Sequence, residues 1–221
     1  MTDYERARDY MVKGQLLPEG VAQSNLIDSF STTPRELFVP EKLQQIAYLD
    51  DDLFLGQGRY FLAPARLAKL LQAADVKASD VVLEIGSASG YVSAILSPLV
   101  TTIIAVENNK RQMDKAVKAW SKLELCNIAL IEKSDLSKGY PEHSPYDLIV
   151  IAASVSRVPR LILEQMALQG RLVCFIREPD SHIGYAMLYY KDIEGHVSSK
   201  KLFDALVPYL DDFITKSAFS L

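Results

Sequence analysis

The chain has 221 residues, 49% of them apolar and 24% charged, the balance of an ordinary globular protein, and its length suits one large domain or one domain with an attached segment. That composition can fill a core and excludes intrinsic disorder. Lys and Arg number 24 against 28 Asp and Glu, a net charge of −4, so there is no basic footprint for a phosphate backbone and no nucleic-acid partner is expected.

Cys126 and Cys174 are the two cysteines; they cannot build a disulfide framework or a C-x-x-C site, and both are read as buried thiols. His143, His182 and His196 are scattered without metal-ligand spacing, so they are read as surface or loop residues and no metal is expected. The N-terminus lacks the apolar stretch of a signal peptide, and the apolar run Leu148 to Ala153 is far shorter than the roughly 20 residues of a membrane span. A cytoplasmic chain without membrane partners is the expectation.

In chain order, residues 1–55 read as an irregular helical segment. Pro18-Glu19-Gly20 signals a turn, a helix is predicted over Val21–Phe30 from Val21, Leu26, Ile27 and Phe30, and Pro34–Pro40 is a short stretch bracketed by prolines. From about Pro64 the texture changes to alternating helices and apolar strands, the pattern of a parallel α/β sheet, so 56–221 reads as one compact α/β domain. Helices are predicted over Ala65–Ala74, Tyr91–Ser97, Arg111–Leu123 and Arg160–Ala167. Strands are predicted over Val81–Ile85, Thr102–Val106, Ile128–Ile131, Leu148–Ala152 and Arg171–Ile176, with a turn at Gln169-Gly170. Tyr185–Tyr190 and Val197–Phe203 add two more strands around Glu194-Gly195.

The informative unit is strand, glycine loop, helix, strand, acid. Such a loop lets backbone N–H groups approach a ligand, and a carboxylate at the tip of the next strand can accept both ribose hydroxyls. Glu107 follows Gly86 by 21 residues, which suits that geometry. The dinucleotide pattern G-x-G-x-x-G would need glycine at 86, 88 and 91, but Ala88 and Tyr91 stand at two of these, which argues against a dehydrogenase. An acid followed by G-x-G-x-G fits better, with Glu84, Gly86 and Gly90 in place and Ala88 as a small substitute. A strand, turn and helix with two glycines also occurs in α/β proteins that bind nothing there. Downstream, Asp135 follows the third strand, where it could meet an adenine amino group or simply close a loop. Asp147 before the fourth strand reads better as a turn acid than as a ligand contact.

The Glu84 to Gly90 loop resembles that of S-adenosylmethionine-dependent methyltransferases, and further motifs narrow the likeness. Arg8-Asp9-Tyr10-Met11-Val12-Lys13-Gly14-Gln15-Leu16, Pro34-Arg35-Glu36-Leu37-Phe38-Val39-Pro40 and Ala47-Tyr48-Leu49-Asp50 follow in the order found in protein-L-isoaspartate O-methyltransferases. So do Val82-Leu83-Glu84-Ile85-Gly86, Ser89-Gly90-Tyr91, Ser144-Pro145-Tyr146-Asp147 and Gln169-Gly170-Arg171-Leu172-Val173. The resemblance spans about residues 6–210. It implies a Rossmann-like S-adenosylmethionine-dependent methyltransferase fold with a helical N-terminal segment. It also implies S-adenosylmethionine as cofactor, held by Glu84, Gly86, Ser87, Ala88, Gly90, Tyr91, Glu107, Asn108, Asp135 and Leu136, with Glu107 on the ribose and Asp135 near the adenine. The implied partner is a protein or peptide bearing isoaspartyl residues, met by a monomer or dimer.

One segment departs from the family. Where it has Gly-x-Gly-Gln-Thr-Ile-Ser-x-Pro, with the serine beside the transferring methyl, this chain has Gly56-Gln57-Gly58-Arg59-Tyr60-Phe61-Leu62-Ala63-Pro64. Leu62 takes the serine position, and no catalytic residue is assigned. Tyr60, Phe61 and Leu62 could be core residues at the start of a helix. Alternatively the segment is rebuilt for another substrate, with Arg59, Tyr60 and Leu62 on the substrate side and Arg59 pairing with an anion. The departure keeps two alternatives open: a methyltransferase with a different substrate, and a catalytically silent relative that binds the cofactor.

Overall fold

The computed structural model describes residues 3–178 and 181–214. Helix α1 (Asp3–Met11) runs into a π-turn over Val12–Leu16, and α2 is Ser24–Thr32. A two-stranded hairpin follows, β1 (Leu53–Gly56) and β2 (Arg59–Phe61), and then α3 (Pro64–Ala73). The α/β body continues as β3 (Val81–Ile85), α4 (Tyr91–Leu96), β4 (Thr102–Glu107), α5 (Lys110–Lys122), β5 (Ile128–Glu132) and β6 (Tyr146–Val155). It ends with α6 (Arg160–Glu164), β7 (Met166–Arg177), β8 (Gly184–Lys191) and β9 (Val197–Asp204).

The main sheet has the order β5-β4-β3-β6-β7-β8-β9, with the β7–β8 and β8–β9 pairings antiparallel and the other pairings parallel. The central strands are predominantly apolar because both faces are covered. With the side-chain period of two, Val82, Ile103, Leu148 and Val150 enter a core shared with the N-terminal segment, α3, α4 and α5. Leu83, Ile85, Ile149 and Ile151 face the other way, onto Leu136, Ile162, Leu210 and Phe213. The chain runs outward from β3 through β4 to β5 and then returns to β6 on the other side of β3. This reversal leaves a crevice at the carboxyl ends of β3, β4 and β6, where open α/β sheets take their ligands.

Four local expectations change. The helix predicted from Val21 begins at Ser24, because the Ala22 and Gln23 amides donate to Gln72 Oε1 at 2.6 and 3.2 Å and hold the backbone extended. The helix predicted over Arg160–Ala167 stops at Glu164. Met166 already pairs with Tyr146, and the ladder then slips so that Arg171 pairs with Leu148, with Gln169 at φ 61 in the irregular stretch between. The expected turn at Gln169-Gly170 is thus a bulge inside β7. Cys174 is buried as expected, but Cys126 is exposed, because it sits in the loop after α5 rather than on a strand.

Candidate cofactor cleft

The loop after β3 explains its own sequence. Gly86, Ala88 and Gly90 have φ of 75°, 47° and 84°, so every second residue is left-handed and Tyr91 is already helical. This is the spacing of G-x-G-x-G rather than G-x-G-x-x-G, and Ala88 bears a left-handed strain that glycine would avoid, about 1–2 kcal/mol. A Cβ on Gly90 would lie 2.6 Å from the Trp120 indole, whose Nε1 donates to the Gly90 carbonyl at 2.8 Å. The amides of Gly86 and Ser87 both donate to the Val106 carbonyl, which ties the loop to β4.

Glu84 lies under this loop, fully buried, and accepts from the Ser93 hydroxyl of α4. Burial, with the Glu107 charge adding to it, pushes its pKa up to about 8. The folded chain therefore holds a proton that the unfolded chain releases near the ordinary value of 4.5. The resulting stabilisation is complete below about pH 4.5 and is lost as pH rises through about 8. The slope approaches about 1.4 kcal/mol per pH unit. Urea unfolding from pH 5 to 8 is expected to show this decline, and Glu84→Gln to flatten it.

Glu107, at the tip of β4, is wholly buried. Its carboxylate accepts the amides of Ala88, Asn108 and Asn109 at 2.8, 2.8 and 2.9 Å. It also receives the Arg59 guanidinium, with Nε at 3.0 Å from Oε2 and Nη2 at 2.8 Å from Oε1. Arg59 is only 5% exposed, so the guanidinium meets Glu107 rather than an external anion. Its Nη2 also donates to Asn108 Oδ1 at 2.6 Å. The segment carrying it is the β1–β2 hairpin with left-handed Gln57 and Gly58 at the turn, not the start of a helix. Tyr60 packs on Phe54 at the surface, while Leu62 is buried and its carbonyl accepts Arg35 Nη2 at 2.9 Å.

The other expected cofactor residues divide. Asp135 turns its carboxylate to its own 3₁₀ turn, accepting Ser137 N at 3.1 Å and pairing with Lys138, and the Ser137 hydrogen bond holds its pKa below the ordinary value. Asp147 is the second residue of β6 rather than a turn residue before it, and accepts the Val81 amide at the start of β3 at 2.9 Å. Tyr91 faces Phe30, Phe38 and Phe61, a core position beneath the loop. Sequence reasoning missed the segment after β9. Asp212 accepts Asn108 Nδ2 at 3.1 Å and the Leu136 amide at 3.4 Å, and the Leu210 side chain lies where a Gly86 Cβ would meet it at 2.8 Å. Paired acids near a chain end look like any solvated turn, so no sequence signal could have placed them here.

The family model described as protein-L-isoaspartate(D-aspartate) O-methyltransferase matches residues 8–211. The chain belongs to this family. A protein-L-isoaspartate O-methyltransferase of Ignicoccus hospitalis is 36% identical over 202 residues, which is 89% of this chain and 94% of that one. One of Pelotomaculum thermopropionicum is 33% identical over 198 residues, 90% of this chain and 84% of that one. Two solved structures share the fold. A protein-L-isoaspartate O-methyltransferase superposes with TM-score 0.80 at 23% identity, covering 92% of this chain and 65% of its own. A putative one from Plasmodium falciparum, in complex with S-adenosyl-L-homocysteine, gives 0.75 at 19%, covering 95% and 99%. The protein-L-isoaspartate O-methyltransferase family uses S-adenosylmethionine, and the fold is the Rossmann-like methyltransferase fold. No helix among the described residues is long and apolar enough to cross a membrane.

The donors of the cleft suit that cofactor, and the space does not. Glu107 with its three amides suits a ribose diol, and Ser87 Oγ is buried in the loop without a partner. Yet the cavities left among the loop, the hairpin and Leu210 measure about 30 and 20 Å³, against several hundred for a ligand of nucleoside size. A larger cavity, about 900 Å³, is an open surface groove along the start of α5, lined by Asn108, Asn109, Lys110, Arg111, Lys115 and Lys118 among others, and it includes none of the loop residues. In this conformation the chain does not admit the cofactor.

Proposed function

We propose that the chain is a cytoplasmic S-adenosylmethionine-dependent O-methyltransferase whose acceptor is the carboxylate of a damaged aspartyl residue in proteins or peptides. The observation that carries this reading is the Glu84 to Gly90 loop beside Glu107 at the sheet's reversal point, in a chain matched by the family over residues 8–211. An aspartyl-type carboxylate with a pKa near 4 is already ionised at pH 7, so the acceptor needs no general base. The protein's part is to hold acceptor and methyl in line and to exclude water. Residues 1–55 share a core with the sheet and are proposed to build the acceptor side.

Methyl release from an isoaspartyl peptide against its normal aspartyl counterpart tests the reading; turnover of the first alone is expected, and turnover of neither would sink it. Leu62 leaves no hydroxyl at the family's serine position, so Leu62→Ser is expected to raise the isoaspartyl rate about ten- to a hundredfold. The specific observation behind a second reading, a different acceptor, is this same Leu62 with the exposed Tyr60 beside it; S-adenosylhomocysteine binding without any gain from Leu62→Ser favours it.

A further inference from the structure

The cleft is filled by the chain itself, and its occupants are chemically matched to what they cover. Arg59 sits bidentate on Glu107, the carboxylate suited to a ribose diol. Asp212 takes the Leu136 amide and the Asn108 side-chain amide on the far side of Glu107. Asn108 joins the two, because its Oδ1 accepts from Arg59 and its Nδ2 donates to Asp212. Leu210 covers Gly86, and Asp211 approaches the hairpin turn closely enough that a Cβ on Gly58 would lie 2.4 Å from its Oδ2.

The segment is seated by defined bonds. Ser154 at the end of β6 donates its amide to Pro208 O and accepts the Leu210 amide, both at 2.9 Å, and its hydroxyl donates to Val207 O at 2.7 Å. The Ser156 hydroxyl donates to Phe213 O at 2.6 Å. Val207, Leu210 and Phe213 are buried against the sheet.

We propose that Arg59 on the hairpin and the turn 210–213 form an intramolecular clasp that closes the nucleoside cleft, so that an adenosyl ligand binds only when the Arg59–Glu107 and Asp212–Leu136 contacts open. The clasp rests on the reading of this cleft as the nucleoside site, and it makes cofactor access a conformational equilibrium. Apparent affinity is then reduced by the fraction of chains that are open. Without Arg59, Glu107 keeps its three amide donors and remains a competent acceptor.

The test is calorimetric titration of S-adenosylhomocysteine into the full-length chain, Arg59→Ala and Asp212→Ala, with thermal melts showing that each is folded. Asp212 is half-exposed, so its variant serves if loss of the buried Arg59 prevents folding. Binding about tenfold or more tighter in each folded variant than in the unaltered chain is expected. Equal affinity in all of them overturns the clasp and leaves the cleft as the nucleoside site. Folded variants that bind nothing overturn the clasp and the methyltransferase reading together.

Discussion

Replacing Arg171 with alanine is expected to lower unfolding stability by about 3–5 kcal/mol, measured by urea denaturation at neutral pH. The side chain is nearly buried at the start of the regular β7 ladder and pairs with Asp80, itself 2% exposed, through Nη2 at 2.6 Å and Nη1 at 3.2 Å. It also donates to the carbonyls of Ala74, Asp75 and Asp147 at 3.0, 2.9 and 3.1 Å. One guanidinium thus fastens the end of α3, the entry to β3 and the entry to β6 at the amino ends of the strands, opposite the cleft. Truncation strands the Asp80 carboxylate, which keeps the Lys77 amide as a donor, together with three carbonyls. The double variant Arg171→Met with Asp80→Asn is expected to recover part of the loss, because it removes the stranded charge.

Arg35→Ala is expected to cost a similar amount, about 3–5 kcal/mol, from unpaired carbonyls and a cavity together. Arg35 is fully buried, and burial draws its pKa down from the ordinary value. Its Nε donates to Ala47 O at 2.7 Å and its Nη2 to Leu62 O, with Phe61 and Tyr91 rings 4.1 and 4.8 Å from the guanidinium carbon. Around it, Tyr48 donates to Glu36, and Asp50 and Asp52 accept the amides of Ala65 and Ala63. The proline-bracketed motif and the Ala47 to Asp50 motif therefore act as a frame for the hairpin that carries Arg59. Arg35→Ala should speed amide hydrogen exchange across residues 53–62, whereas Arg171→Ala, acting at the other end of the sheet, should leave that protection close to the global value.

The α/β body was legible because its signals are local. Val81–Ile85 and the start of β4 at Thr102 stand where the apolar runs put them, and α3 and α5 lie within a residue of their predicted bounds. The glycine loop was legible for the same reason, since φ alternation leaves its mark in which positions tolerate a side chain. The helix after β6 was read three residues too long because nothing local marks its end at Glu164, while the pairing of Met166 with Tyr146 is decided by a strand 20 residues away.

Sequence by itself determined the family, the parallel sheet and the presence of an acid at the tip of the strand after the glycine loop. Each of these depends on residue type at short spacing or on motifs kept in order. Tertiary structure alone decided what that acid meets. Arg59 reaches Glu107 across 48 residues, and Asp212 reaches Asn108 across 104. Neither contact has a local signature, because a buried ion pair exists only where folding removes both partners from water at one point. A substitution that looked like an altered substrate surface thus became, in three dimensions, an internal contact with the acid at the tip of β4.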